Sequence, residues 1–502
     1  MSVPASRPWK RPAVNCRTRE LEPAAAVGGP GGARLRGCRC TADRKDADVT
    51  VISRSPQDPD DVVLETAEAG RDAVLAAAAR ARTAYAGWAA APATVRSAGL
   101  VAAADAVAGA TDELAALVVR EVGKPVTEAR GEVARTVGIL RYYAQAALLP
   151  EGDVLPAPDG RSLLHTRRRP RGVAGLVTPW NFPLAIPVWK AAPALAYGNT
   201  VLLKPAEEAP ACAQRLAELL SAALPADVLT VLQGGGETGA AVVDVADVVS
   251  FTGSEAVGGI VRRAAAERGV PAQCEMGGQN ASIVLPDADI DAAAAAIAGA
   301  AMGYAGQKCT ATSRVVVVGD AAGFGERLAA AVESLAFGDP GDPKTALGPV
   351  ISEQARDAVV DAVAEAEKAG ARVLTGGTAT GPGWAVAPAV VVDVPDGQRL
   401  LREEVFGPVC AIVGVPDVDA AVAEANAVRH GLVAAVFTRD LALGLELPGR
   451  LHTGMVKVNA PTSGVDFHAP FGGSKSSSYG PREQGLAAKE LYTETVTVTI
   501  TP

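Results

Sequence analysis

The chain has 502 residues, 49% hydrophobic and 21% charged, enough for two or three domains with cores of their own. A formal net charge of -9 and 4% aromatic residues argue against a nucleic-acid partner, which calls for basic patches and stacking platforms. Seven scattered cysteines without a CxxC pair and four dispersed histidines suggest neither a disulfide framework nor a metal site, and they fit a reducing, cytoplasmic setting. No apolar run reaches the roughly 18 residues that a membrane-spanning helix needs.

Residues 1–48 are rich in Arg, Pro and Gly, lack a hydrophobic period and read as a disordered N-terminal extension. Ala-rich amphipathic patterning then predicts helices over 66–90, 94–110 and 112–146. Leu163–Thr166 reads as a strand or hairpin. Alternation follows: strand Gly172–Val177, helix 184–197, strand Thr200–Lys204, helix 209–223, and strands Val228–Leu232 and Asp247–Thr252. Short apolar strands spaced by helices imply a parallel sheet covered on both faces. The Ala-rich stretch 292–301 reads as a buried helix. Strand Ser313–Val318, helices 322–336 and 353–369, strands 389–393 and 410–415, helix 417–429 and strand 432–437 continue the alternation. The tail Tyr492–Ile500 has period two, so it is a strand with one buried face that needs a neighbour, for which pairing across subunits is a common answer.

Three segments carry chemistry. Cys309, in Gly306-Gln307-Lys308-Cys309-Thr310, sits among small and polar residues, unlike Cys212, Cys274 and Cys410, and Lys308 beside it favours a thiolate. Glu275 precedes Gly277-Gly278, which let the backbone turn and approach a ligand, and apolar neighbours raise a carboxyl toward the range of a base. Asn181 lies in Thr178-Pro179-Trp180-Asn181-Phe182-Pro183 at a strand-to-helix junction, where it either caps the helix starting at Pro183 or donates to an oxyanion. A thiol to attack a carbonyl, an amide to hold the oxyanion and a carboxylate to activate water are the parts of thioester chemistry on an aldehyde. Gly253 and Ser254 open a helix after a strand and suit a pyrophosphate, while Glu207 beyond Lys204 suits ribose hydroxyls or a plain surface turn.

From about residue 55 onward the chain resembles the NAD(P)-dependent aldehyde dehydrogenase superfamily. The resemblance rests on Thr178–Pro183, Lys204–Glu207, Phe251–Ser254, Glu275–Gly278, Gly306–Cys309, Glu403–Pro408 and Pro470–Gly473. It implies an α/β fold with a Rossmann-like dinucleotide-binding domain over 49–146 and 170–277 and a catalytic α/β domain over 278–476. A small oligomerisation β-flap over 147–169 and 486–502, in a homodimer or homotetramer, completes it. Cys309 would be the nucleophile, its N–H and Asn181 the oxyanion hole, Glu275 the hydrolytic base, and Lys190 a support for the catalytic hydrogen-bond network. Thr178, Pro179, Trp180, Lys204, Glu207, Gly253, Ser254, Glu404 and Phe406 would hold NAD; Glu207 repels the extra phosphate of NADP, though some members with this residue accept both. Members begin with a short β-hairpin before the position of Ser53, which residues 1–48 do not resemble.

A finer resemblance, carried by Asn459–Phe471 and Ser477–Gly485, is to α-ketoglutarate semialdehyde (2,5-dioxovalerate) dehydrogenases. It implies a small aldehyde bearing a carboxylate, with succinate semialdehyde as the nearest rival. Gly131, Arg135 and Gly138 share one face of the helix, where glycines open space before a guanidinium suited to a carboxylate; the competing reading pairs Arg135 with Glu128 or Glu132. Phe182, Trp189, Val465 and Phe471 would line the same tunnel. A non-catalytic oligomeric protein that merely keeps the fold is the rival from another class, and the intact Cys309, Glu275 and Asn181 speak against it.

Overall fold

Two parallel sheets organise the residues that this computed structural model describes, 50–502; the expectations for 1–48 lie outside them. The first sheet has six strands in the order Ser478–Tyr479, Ala272–Glu275, Val248–Thr252, Val173–Val177, Thr200–Lys204 and Leu229–Val231. All run parallel except the edge strand Ser478–Tyr479, which pairs antiparallel with Ala272–Glu275. The second has seven, in the order Arg372–Thr375, Ala389–Val392, Val409–Val415, Thr312–Val318, Asn280–Val284, Val433–Phe437 and Met455–Val458, with only the first antiparallel. Central strands such as Thr200–Lys204 and Asn280–Val284 are buried along their whole length. That is why their sequences run apolar without alternation.

The helices Ala93–Gly109, Thr111–Val122, Val126–Ala146, Ala185–Ala196 and Pro210–Ser221 bury one large cluster beside the first sheet, including Leu100, Leu114, Val118, Leu140, Leu195 and Leu216. Each such side chain contributes about 1.5–3 kcal/mol on burial. No described helix is long and apolar enough to cross a membrane.

Two expectations need correction, and the terminal strand gains a neighbour. The helix predicted over 66–90 begins only at Arg71, because Val62–Ala67 is a strand paired antiparallel with Thr50–Arg54. The helix predicted over 112–146 is two, Thr111–Val122 and Val126–Ala146. Gly123 ends the first at φ 66°, and Pro125 keeps Lys124 out of helical geometry, which sends its side chain into the core. The tail also finds its partner within its own chain. Thr493–Ile500 pairs in register with Leu163–Pro170, from Thr493↔Pro170 to Ile500↔Leu163, and Val154–Leu155 completes a three-stranded antiparallel sheet.

Candidate active site

Cys309 lies between the helix Ile290–Met302 and the strand Thr312–Val318. Asp289 caps that helix by accepting from the Ala292 N–H. Past its end, Tyr304, Ala305 and Gly306 adopt φ of 54°, 50° and 69°, a left-handed run that is costly for the first two. The turn is held from outside. Tyr304 donates its hydroxyl to Val122 O at 3.1 Å, Gln307 Oε1 accepts from the Ile351 N–H at 2.8 Å, and Asn280 Nδ2 donates to Cys309 O and Ala311 O at 2.8 Å each. A Cβ on Gly306 would sit 2.1 Å from Gly407 O, so only glycine fits there. The Cys309 thiol is half-buried; burial pushes its pKa up, and the carboxylates of Glu404, Glu275 and Glu483 push the same way. Lys308 does not counter them, contrary to expectation, because its ammonium pairs with Glu128 at 2.7 Å.

Asn181 reaches this loop from the other sheet. Its Nδ2 donates to Gln307 O at 2.9 Å, which leaves one amide N–H uncommitted beside the thiol loop. The alternative role as a helix cap is overturned: the next helix starts at Ala185, and Glu132 Oε1 accepts from the Leu184 and Ala185 N–H groups at 2.9 and 3.0 Å. Lys124 pairs with Glu132 and donates to Asn181 O at 2.8 Å, fixing the backbone that carries the amide.

Glu275 ends the strand Ala272–Glu275, and Gly278 brings the following turn so close that a Cβ would stand 2.8 Å from Cys309 O. Its carboxyl accepts from Gln273 Nε2 at 2.8 Å and from Ser478 Oγ. Burial, then the neighbouring Glu483, pushes its pKa up to about 8, a value suited to a base working near neutrality. Behind it lies a buried chain of contacts. Lys190 pairs with Glu483 and donates to Ser250 Oγ at 2.7 Å, and Ser250 donates to Gln273 Oε1 at 2.8 Å.

The C-terminal ends of the six-stranded sheet carry polar groups without partners. Thr178 Oγ1, Thr252 Oγ1 and Asn181 Oδ1 are all buried and unbonded. Lys204 is buried at one strand end and Glu207 is exposed just beyond it. A Cβ on Gly235 would meet Glu207 Oε2 at 2.5 Å, while Gly236 has nothing within 4 Å, and Glu68 Oε1 accepts from the Gly235 N–H at 2.9 Å just ahead of the helix Gly236–Val245. Ser254 caps the helix Glu255–Glu267, accepting from the Val257 N–H at 3.4 Å with its own hydroxyl proton uncommitted. The preceding Gly253 leaves no room for a Cβ, which would lie 2.6 Å from the Phe251 ring. Trp180, after Pro179, meets Phe406 edge to face at 5.7 Å, with Phe406 held at φ 57°. Glu404 accepts from the Gly278 N–H at 3.1 Å, and burial pushes its pKa up to about 8. Orphaned hydroxyls, with a lysine and a carboxylate at one strand end, fit a dinucleotide laid across these strand ends.

On the opposite side of Cys309 a cavity of about 240 Å³ is lined by Arg135, Phe182, Trp189, Val465 and Phe471 together with Cys309 itself. Trp189 and Phe471 pack at 5.6 Å between ring centroids, and Lys124 Nζ lies 3.8 Å over the Phe182 ring. The ion pairs offered as alternatives for Arg135 do not form, since Glu128 holds Lys308 and Glu132 holds Lys124. Of the two glycines expected to open space, Gly131 does so, with nothing within 4 Å, but Gly138 is covered by Phe467 at 3.0 Å. Among the described residues no cluster of His, Cys, Asp and Glu is placed to hold a metal ion.

Residues 43–498 match the aldehyde dehydrogenase family. The chain belongs to that family. It is 40% identical over 458 residues to an alpha-ketoglutaric semialdehyde dehydrogenase of Bacillus subtilis, covering 89% of this chain and 94% of the relative. It is 37% identical to a succinate-semialdehyde dehydrogenase of Paenarthrobacter nicotinovorans, covering 84% and 94%. Its fold matches an aldehyde dehydrogenase of Bacillus cereus solved in complex with NAD+, with a TM-score of 0.87, 33% identity, and coverage of 90% and 93%.

In this aldehyde dehydrogenase, several site residues went unnoticed in the sequence. Gln273 and Ser478 bond to Glu275 with Ser250 and Glu483 behind them, Lys124 and Glu132 fix Asn181, and Gly235 and Gly236 lie beside Glu207. Only Gly234-Gly235-Gly236, a glycine run after the strand Leu229–Val231, carried a local signal.

Proposed function

We propose that this aldehyde dehydrogenase uses NAD to oxidise a short aldehyde with a carboxylate at its far end, its preferred substrate being 2,5-dioxovalerate, converted to 2-oxoglutarate. The observation that carries this reading is Arg135, a guanidinium without an ionic partner in the cavity that contains the Cys309 thiol. Its two carboxylates, Glu128 and Glu132, are each held by a lysine, Lys308 and Lys124, which leaves the Arg135 guanidinium as the unmatched charge of that lining. That favours a carboxylate and opposes a quaternary ammonium.

The Cys309 thiol gives up its proton to solvent as its Sγ bonds to the aldehyde carbon, and the Cys309 N–H with the uncommitted Asn181 N–H holds the oxygen as negative charge builds on it. NAD, when bound, supplies the hydride acceptor that turns the adduct into a thioester. Glu275 then takes a proton from water as its oxygen attacks the thioester carbon, and the Cys309 sulfur departs. Lys204 and Glu207 would hold the adenosine ribose, Ser254 the pyrophosphate, and Glu404 with Phe406 the nicotinamide end. The exposed negative charge of Glu207 works against a 2′-phosphate. The three-stranded sheet, which leaves Val154, Leu155, Leu163 and Ile500 exposed, is the surface for assembly into a homodimer or homotetramer.

An aldehyde panel followed by the absorbance of reduced nicotinamide tests the reading. The carboxylated aldehydes should show the highest kcat/KM, with 2,5-dioxovalerate ahead of succinate semialdehyde. Arg135→Ala should raise KM for 2,5-dioxovalerate by roughly 10–100-fold, as expected for a lost charged hydrogen bond, and leave an uncharged aldehyde unchanged. Equal effects on both substrates would remove Arg135 as the anchor.

A further inference from the structure

We propose that the Ser478 hydroxyl links Glu275 to solvent, positioning the base on one side and passing its proton to an open cleft on the other. This rests on the reading of Glu275 as the hydrolytic base. The residues after the seven-stranded sheet return to the first sheet as Ser478–Tyr479, and the register sets Ser478 directly opposite Glu275. Ser478 Oγ donates to Glu275 Oε2 and accepts from the Gly473 N–H at 2.6 Å, so the hydroxyl is held from both sides. Ser478 is half-buried. Its outer side lines a cleft of about 410 Å³ beside the helix Glu255–Glu267, together with Arg262, Arg263, Arg429 and Lys475. Neither Lys190 nor Glu483 reaches this cleft.

The two oxygens of Glu275 therefore face different surroundings. Oε1 takes Gln273 Nε2 and looks toward the sealed Lys190–Glu483 pair, with the Arg482 guanidinium bordering the same spot beside Gly472. Oε2 meets Ser478 and, through it, the cleft. During hydrolysis the attacking water forms its bond to the thioester carbon and gives its proton to Glu275, and the carbon–sulfur bond then breaks with the electron pair going to Cys309. The proton on Glu275 next passes to Ser478 Oγ while the serine's own proton passes to water or a buffer anion in the cleft. One proton reaches solvent, and no oxidant or reductant is needed. Four cations against Glu255 make the cleft attractive to anions that accept protons.

The charged groups around Glu275 set the direction of the pH effect. Glu483 raises its pKa, whereas Lys190 and the Ser478 and Gln273 hydrogen bonds lower it. Removing the serine donor moves the ascending limb of hydrolysis to higher pH.

The experiment compares the unaltered enzyme with Ser478→Ala, Ser478→Thr and Glu275→Gln. It reads the first-turnover release of reduced nicotinamide and the steady-state rate, each across pH and with increasing phosphate buffer. Ser478→Ala should keep the full first turnover and lower the steady state about tenfold, less than the roughly 10²–10⁴ lost with a general base itself. Its pH limb should move upward and its response to phosphate should vanish, while Ser478→Thr restores both. A Ser478→Ala profile that overlies the unaltered enzyme, a first turnover that is lost as well, or a failure of threonine to rescue overturns the proposal. If Glu275→Gln keeps full steady-state turnover, the underlying assignment of the base falls. If it stalls after one turnover while Ser478→Ala behaves normally, only the serine link falls.

Discussion

Among the described residues two lysine–glutamate pairs are buried, and they are finished differently. Around Lys124 and Glu132 the polar contacts close on themselves: Lys124 reaches Glu132 and Asn181 O, and the other glutamate oxygen takes the Leu184 and Ala185 N–H groups. The rings of Phe182 and Tyr304 lie 3.8 and 4.6 Å from Nζ. Around Lys190 and Glu483 the contacts stay open, because Glu483 Oε2 has no partner and Ser250 and Gln273 lead on to Glu275. A closed pair holds a backbone still, here the one that carries the Asn181 amide. An open pair beside a third carboxylate gives a proton several places to reside, which is what a base that must reload requires.

The largest effect that would sharpen this contrast is on stability. Glu132→Gln should cost about 3–5 kcal/mol in denaturant unfolding, because it leaves the Lys124 ammonium buried without its counter-charge. A loss below about 1 kcal/mol would mean that the closed pair is not structural. Glu404 is an intermediate case, a half-buried carboxyl that forms no ion pair. Its folded pKa of about 8 lies above the ordinary 4.5, so the folded state holds the proton more tightly. Stability should therefore fall as pH rises from about 4.5 to about 8, and Glu404→Gln should flatten that fall by about 2 kcal/mol at the alkaline end. Thermal unfolding of both proteins across pH measures it. Glu483→Gln should cost least, about 1 kcal/mol, since Glu275 can ionise and take over Lys190. Without the Glu483 charge the Glu275 pKa drops, so the ascending limb of hydrolysis should move to lower pH, opposite to the shift expected for Ser478→Ala. A stability loss equal to that of Glu132→Gln would erase the distinction between the pairs.

Much of this was legible in the chain. The alternation of short apolar strands with helices marked two parallel sheets, because buried strands tolerate little besides apolar residues. Cys309, Glu275 and Asn181 stood out because each sits in a short segment of unusual local chemistry, and the folded chain brings those segments together around the thiol loop. The five side chains expected to meet the substrate likewise line one cavity with Cys309.

What stands across from what was settled only by tertiary structure. Glu132, not Asn181, caps the helix at Ala185, because the break at Gly123–Pro125 folds Lys124 and Glu132 beneath that turn. The terminal strand pairs with Leu163–Pro170 of its own chain, although its period-two pattern fits any sheet edge equally well. Ser478 faces Glu275 across 203 residues of sequence. A serine, a glutamine or a buried lysine has no local periodicity that reveals its partner. Its role depends on which carboxylate the fold brings within hydrogen-bond reach, and on whether water can reach the other side.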